Sequence, residues 1–250
     1  MPASHIYDDT YYRYINKGSL RSAQILLPLV ARSFAVGSVV DFGAGQGAWL
    51  SVWRELGAGD VVGVDGDYVN RSALLIPHDR FVPADLTRPI RLNRTFDLVQ
   101  SLEVAEHLPP HAASTFIDNL VAHGRIVLFS AAAPGQGGEH HVNERPYTSW
   151  RDLFQERHYT AIDMIRPVLA RDPRVEPWYR YNSFVFVHND LVSRLPAELQ
   201  RLRIAPNGAI PDVSPALYKI RKALFRPLPP AVITQLARLK KHWHVRTSLS

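Results

Sequence analysis

Residues 39–50 read VVDFGAGQGAWL: a short apolar run, an acid at Asp41, and glycines at Gly43, Gly45 and Gly47. Glycine weakens strands and helices because it has the most backbone freedom to lose on folding. Three at every second position therefore mark backbone that must come very close to another group. Between an apolar run and the helical pattern AWLSVWREL, such a turn makes a cradle for a nucleotide-like ligand. Gly43, Gly45 and Ala48 fit the dinucleotide spacing G-x-G-x-x-[G/A], with Asp65 near the place of its ribose acid. The local spelling is closer to D-x-G-x-G-x-G, with the acid at the end of the first strand. Asp65 closes the run DVVGVD and Asp85 lies in PADL; one carboxylate can accept both donors of a ribose diol.

A second group of residues could handle a proton or a substrate. EVAEHLPP carries Glu103, Glu106 and His107 just after an apolar run. The stretch PGQGGEHHVNERPYTSW, 134–150, carries Glu139, His140, His141, Asn143, Glu144 and Arg145. A loop that only connects elements rarely needs so many polar groups. Imidazoles and carboxylates suit proton removal near neutral pH. Two histidines with two acids nearby could also bind a divalent ion, but adjacent histidines usually point apart, so no metal is expected.

The elements that must position these groups follow from the apolar pattern. GSVVDF, DVVGVD, RFVPADL, TFDLVQSL and RIVLFSAAAP read as five successive strands, and YNSFVFVHND as a late one. Helical stretches lie between them, notably PHAASTFIDNLVAHG and YTSWRDLFQERHY. Alternating strands and helices with continuously apolar strands imply a parallel sheet covered on both faces. SLRSAQILLPLVARSF, 19–34, has helical spacing, with Pro28 expected to break or kink it. Beyond residue 190 the alternation stops.

The chain of 250 residues is 46% hydrophobic and 21% charged, enough for one full core with additions at the ends. It has no cysteine, which excludes disulfides and thiolate metal sites and fits a reducing, cytoplasmic setting. No apolar run is long enough to span a bilayer, and the N-terminus lacks the apolar core of a signal peptide. The net charge of +6 is uneven: residues 213–250 hold eight Lys or Arg and no acid, leaving 21 basic against 23 acidic residues elsewhere, or −2. The basic balance belongs to the tail, so no nucleic-acid partner is expected.

These motifs, in this order, resemble the class I S-adenosylmethionine-dependent methyltransferases over residues 36–190. VVDFGAGQG is similar to their first motif, GVDGD to the end of their second strand, PADL to the loop after the third, and FDLVQSLEVAEHL to the fourth-strand segment. The resemblance implies a Rossmann-like, doubly wound α/β fold with seven mostly parallel strands and an antiparallel strand near one edge. It implies S-adenosyl-L-methionine as cofactor, with Asp65 on the ribose hydroxyls, Asp85 at the adenine amino group, and Asp41 holding the glycine loop and the methionine ammonium. Leu86, Ser101 and Glu103 complete the implied cofactor set with Gly43, Gly45 and Gly47. The metal-dependent catechol-type acid pattern of such enzymes is not evident.

HHVNERP is similar to a loop in a subset of bacterial methyltransferases of glycan and natural-product tailoring. A small-molecule acceptor, a sugar or glycan hydroxyl, is therefore expected, with His141, His140 or His107 as base or orienting group. Three readings stand beside it: a small-molecule N-methyltransferase, a non-catalytic cofactor-binding protein, and a nicotinamide-dependent oxidoreductase on the same glycine loop. The expected organisation is an N-terminal helical cap over 1–35, bearing Tyr7, Tyr11, Tyr12 and Tyr14, a cofactor-binding domain over 36–190, and a basic helical extension over 191–250. The extension is expected either to dock on this chain or on the second subunit of a homodimer, or to meet membrane through 213–250. Membrane contact on the cytoplasmic face would make lipid-linked glycans attractive acceptors.

Overall fold

The computed structural model describes residues 9–229 and 231–237, with side chains from residue 18 onward. Tyr7 and the basic residues Arg238, Lys240, Lys241 and Arg246 lie outside the described residues, as do the side chains of Tyr11, Tyr12 and Tyr14.

A long first helix, α1 (Asp9–Ser33), leads into β1 (Ser38–Phe42), α2 (Ala48–Glu55), β2 (Asp60–Asp65), β3 (Phe81–Pro83) and β4 (Leu98–Leu102). Then come α3 (Ala113–His123), β5 (Ile126–Ser130), α4 (Tyr147–Gln155), β6 (Tyr159–Ile162) and the short helices α5 (Arg166–Leu169) and α6 (Pro177–Asn182). The chain continues through β7 (Phe184–His188), α7 (Asn189–Val192), α8 (Ala197–Gln200) and α9 (Ala216–Phe225). A further helical segment covers 231–237. No helix among the described residues is long and apolar enough to cross a membrane.

The seven strands form one sheet in the order β3-β2-β1-β4-β5-β7-β6. All neighbours are parallel except β7, which runs antiparallel to both β5 and β6. This is the doubly wound, Rossmann-like class I methyltransferase arrangement that the motifs imply. Successive residues of a strand face opposite sides of the sheet, and both sides are covered. Val39 and Leu98 pack with Leu26, Leu27 and Val30 of α1 and Trp49 and Trp53 of α2 on one side. Val40, Phe42 and Val99 pack with Phe116 and Leu120 of α3 and Phe154 of α4 on the other.

One local expectation is corrected, and one strand is added. Pro28 does not end its helix: α1 runs through it to Ser33. A helix-interior proline costs about 3 kcal/mol, but Leu26, Leu27 and Val30 are fully buried around it, and each contributes about 1.5–3 kcal/mol. The strand β6 is only four residues long, so its pattern is too short to stand out; it is held at the edge by pairing with β7.

Candidate active site

The strand order reverses between β1 and β4, and the crevice outside the carboxyl ends of such strands is where open α/β sheets bind ligands. Here that crevice opens into a cavity of about 700 Å³. Its walls include Asp41, Gly43, Gly45, Asp65, Leu86, Glu103, Glu106, His107 and His141.

The floor is the glycine turn. Gly43 and Gly47 have φ of 88° and 83°, the left-handed region that disfavours a side chain. Their close neighbours are protein side chains. A Cβ on Gly43 would lie 2.3 Å from Val104, and one on Gly47 3.1 Å from Ile76. Gly47 itself does not line the cavity. Asp65 is buried and accepts three hydrogen bonds: from the Gly45 N–H (2.7 Å), the Gly66 N–H (2.6 Å) and the Tyr68 hydroxyl (2.6 Å). Burial pushes its pKa up, against those three bonds. Asp41 is fixed by a buried relay in which Trp53 Nε1 donates to Gln100 Oε1 and Gln100 Nε2 donates to Asp41 Oδ2, both at 2.9 Å. Burial raises its pKa to about 8, opposed by the Gln100 bond and reinforced by the Asp65 charge.

Glu103 follows β4 with φ at 56°, a strained backbone for a glutamate. Its N–H donates to the Ser130 carbonyl (3.0 Å), and Gln136 Nε2 (2.8 Å) and Asn182 Nδ2 (3.1 Å) donate to its carboxylate. Burial raises its pKa against those bonds. Glu106 is fully buried. Neither of its oxygens makes a regular hydrogen bond among the described residues, although the Ala132 N–H and the Glu103 carboxylate are near. Burial first, and then the Glu103 charge, push its pKa well up.

The loop after β5 is tied to this turn, because the Val142 and Asn143 N–H groups both donate to the Glu106 carbonyl (2.9 and 3.0 Å). His141 Nδ1 lies 2.8 Å from Glu144 Oε1, and Glu144 also accepts from the Gly135 and Gly137 N–H groups, both at 2.7 Å. Burial works to raise the Glu144 pKa, but these bonds and the His141 charge more than offset it and hold it low. His107 stands edge-on to His141 with ring centroids 4.9 Å apart. Burial, aided by the His141 charge, lowers the His107 pKa to about 3, so it is neutral near pH 7.

Several expected site residues lie elsewhere. Asp85 does not line the cavity. Its half-exposed carboxylate accepts from the Thr87 N–H (2.9 Å) and hydroxyl (2.6 Å) and pairs with Arg88. That is an Asx turn, a local alternative that competes with reaching a ligand. Ser101 is buried within β4 and does not line the cavity; nor does His140, which has φ at 59° and whose N–H donates to the Thr234 hydroxyl (3.2 Å). Tyr68, Gln136 and Asn182 are additional site residues. Only Gln136, inside the loop PGQGG, carried a signal in its surroundings.

The basic extension supplies the remaining wall. Tyr218, Arg221 and Phe225 of α9, with Ile233, Leu236 and Ala237, line the cavity. A Cβ on Gly135 would lie 2.1 Å from the Lys222 carbonyl oxygen, so the loop and α9 touch backbone to backbone. The described part of the extension thus docks on its own chain. Leu217, Ile220 and Leu224 of α9 remain exposed.

Residues 12–165 match the family model described as "Methyltransferase domain". The chain belongs to this family. This methyltransferase shares its fold with the methyltransferase domain of a bacterial Hen1 (18% identity over 68% of this chain and 97% of that one, TM-score 0.51). It is similar too to the sugar N-methyltransferase KedS8 from Streptoalloteichus sp. (16% identity, 72% and 92%, TM-score 0.57). No curated protein matches the chain significantly in sequence. As a class I methyltransferase it uses S-adenosyl-L-methionine. The cavity suits that cation-bearing cofactor: Asp41 is a buried acid and Glu103 a half-buried one, both on the cavity wall and neither in an ion pair among the described residues.

Proposed function

We propose that this methyltransferase transfers the methyl group to a hydroxyl of a sugar or glycan-like small molecule. The observation that carries the reading is the buttressed His141, which faces the same cavity as the glycine turn and whose Nδ1 is engaged by Glu144. With Nδ1–H donating to Glu144, Nε2 keeps its lone pair for a proton. Polar and aromatic walls, Gln136, Arg221, Trp178 and Tyr218, suit a hydroxyl-rich acceptor with flat faces.

The cofactor supplies a methyl carbon on a positively charged sulfur, whose bonding pair stays with sulfur when the acceptor oxygen takes the carbon. Asp65 would accept from the ribose hydroxyls, with its Tyr68 hydrogen bond the one to be exchanged. Asp41 and Glu103 would offset the positive charges of the methionine end, and Leu86 would provide an apolar wall. His141 orients the acceptor and accepts its proton, and Glu144 holds the ring. In this division 36–190 carries the cofactor and part of the acceptor wall, and Ser19 of α1 with Tyr218, Arg221 and Phe225 of α9 would close over the acceptor.

The test is incubation with S-adenosylmethionine and a metabolite extract, with methylated products identified by mass spectrometry. An O-methylated glycoside is the expected product, and an N-methylated amine would replace this acceptor class. Tight binding of NAD with none of S-adenosylhomocysteine would remove the cofactor assignment.

A further inference from the structure

Adjacent histidines usually point apart, which argues against a metal held by His140 and His141 together. The structure instead brings His141 to His107, a partner distant in sequence. One ligand atom from each of Glu106, His107 and His141 lies within 4.8 Å of the others. All three residues line the cavity.

The strongest sign is Glu106. It is fully buried, its carboxylate oxygens make no regular hydrogen bond among the described residues, and its own N–H, the Ala132 N–H and the Glu103 carboxylate stand near them. A buried polar group left without a partner is costly, and a buried charge more so. His107 Nδ1 is likewise buried and unpartnered, while its ring makes a hydrogen bond to the His140 backbone. Glu144 engages His141 Nδ1, which leaves Nε2 as the nitrogen with a lone pair. Imidazoles steadied through their second nitrogen by a carboxylate or a carbonyl are the usual form of metal-bound histidine.

We propose that Glu106, His107 and His141 bind one divalent metal cation in the cavity wall, with its remaining positions open to an acceptor oxygen. Two imidazoles and one carboxylate suit Mn²⁺, Fe²⁺ or Zn²⁺. This deepens the hydroxyl-acceptor reading and rests on it. An acceptor hydroxyl on the ion is more acidic than in water. Its proton then leaves to solvent, its oxygen bonds the methyl carbon, and the carbon–sulfur pair stays on sulfur. His141 gives its lone pair to the ion instead of to the proton.

The test titrates Mn²⁺ into the chelator-stripped full chain and follows the free ion by electron paramagnetic resonance, with a thermal melt of each sample. One ion per chain is expected. Glu106→Gln and His141→Asn should each weaken it at least about tenfold, and the ion should raise the Tm of the parent protein but of neither variant. The melts show whether each variant is folded. Failure of Mn²⁺ and Zn²⁺ to bind the parent at millimolar concentration overturns the proposal, as does equal binding by both folded variants. The measurement needs no acceptor. A missing ion therefore leaves methyl transfer standing with His141 as base, and missing turnover leaves the ion result standing.

Discussion

Glu144 holds His141 from one side and the glycine loop from the other: its Oε1 meets His141 Nδ1 at 2.8 Å while the Gly135 and Gly137 N–H groups donate to the same carboxylate. The acid that orients the ring is thus also the anchor of the loop that carries it. Losing it should loosen ring and loop together.

Glu144→Ala should lower kcat and raise KM for the acceptor together, whereas His141→Asn should lower kcat at least tenfold with a smaller change in KM, the loss typical of a positioned proton acceptor. Cofactor affinity should stay within about twofold in both. Steady-state kinetics with the acceptor found by mass spectrometry, alongside calorimetry of cofactor binding, check this. Unchanged kcat in His141→Asn at saturating acceptor would take that residue out of the chemistry.

Asp65→Ala should weaken S-adenosylmethionine binding by about 2–4 kcal/mol, because the ribose donors lose a charged partner. Asp85→Ala should change it by less than about threefold, since its carboxylate is spent on Thr87 and Arg88. Calorimetry on both folded variants decides. A larger loss in Asp85→Ala than in Asp65→Ala would restore the adenine contact and reverse the ranking.

Asp41 should make the cofactor-free protein less stable as pH rises. Its folded pKa of about 8 lies above its ordinary 3.8, so the folded state holds a proton that the unfolded chain releases. The associated stability is full below about 3.8 and is lost as pH climbs through about 8. The groups bearing on this carboxyl are Asp65 and Gln100. Asp41→Asn removes the slope, so its Tm relative to the parent should climb between pH 5 and 8.5. A constant offset across that range would count against the buried, protonated acid. Bringing a cation beside Asp41 should also release a proton, seen as a buffer-dependent binding enthalpy near pH 7 that disappears in Asp41→Asn.

Truncation after Asp212 should lower Tm and abolish acceptor binding while leaving cofactor affinity nearly intact. Tyr218, Phe225 and Ile233 line the cavity, and the loop's Gly135 and Gly137 pack on the extension. Gly135→Ala should act the same way more mildly, because its Cβ would meet the Lys222 carbonyl. Vesicle sedimentation on the same proteins tests the membrane expectation, since Leu217, Ile220 and Leu224 lie exposed near Lys219 and Arg226. Binding to anionic vesicles that salt and truncation both remove would support it. An unchanged melt after truncation would sink the packing argument.

What the sequence shows plainly is local. The runs VVDF and VVGVD are short, apolar apart from their acids and followed by glycine, and they fall in β1 and β2 at the expected places. Their acids then follow from position along a strand. What stays hidden is pairing across the chain. The contacts of His107 with His141, and of Gly135 with Lys222, join residues far apart in sequence, and no periodicity announces them. Glycine at Gly43 is legible as a close approach, but whether the neighbour is a ligand or Val104 depends on how β4 ends. Asp85 differs for another reason: Thr87, two residues on, occupies its carboxylate in a local turn that the strand pattern does not announce.

The Gly135–Lys222 contact orders events in time. The sheet that shapes the cofactor crevice is complete once His188 is made, but the last wall of the cavity waits for residues 216–237. Chains grow from the N-terminus at roughly 5–20 residues per second, so for a few seconds a nascent molecule has a formed crevice with one side open to water. The wall formed by Tyr218, Arg221 and Phe225 is thus among the last parts of the described site to be made.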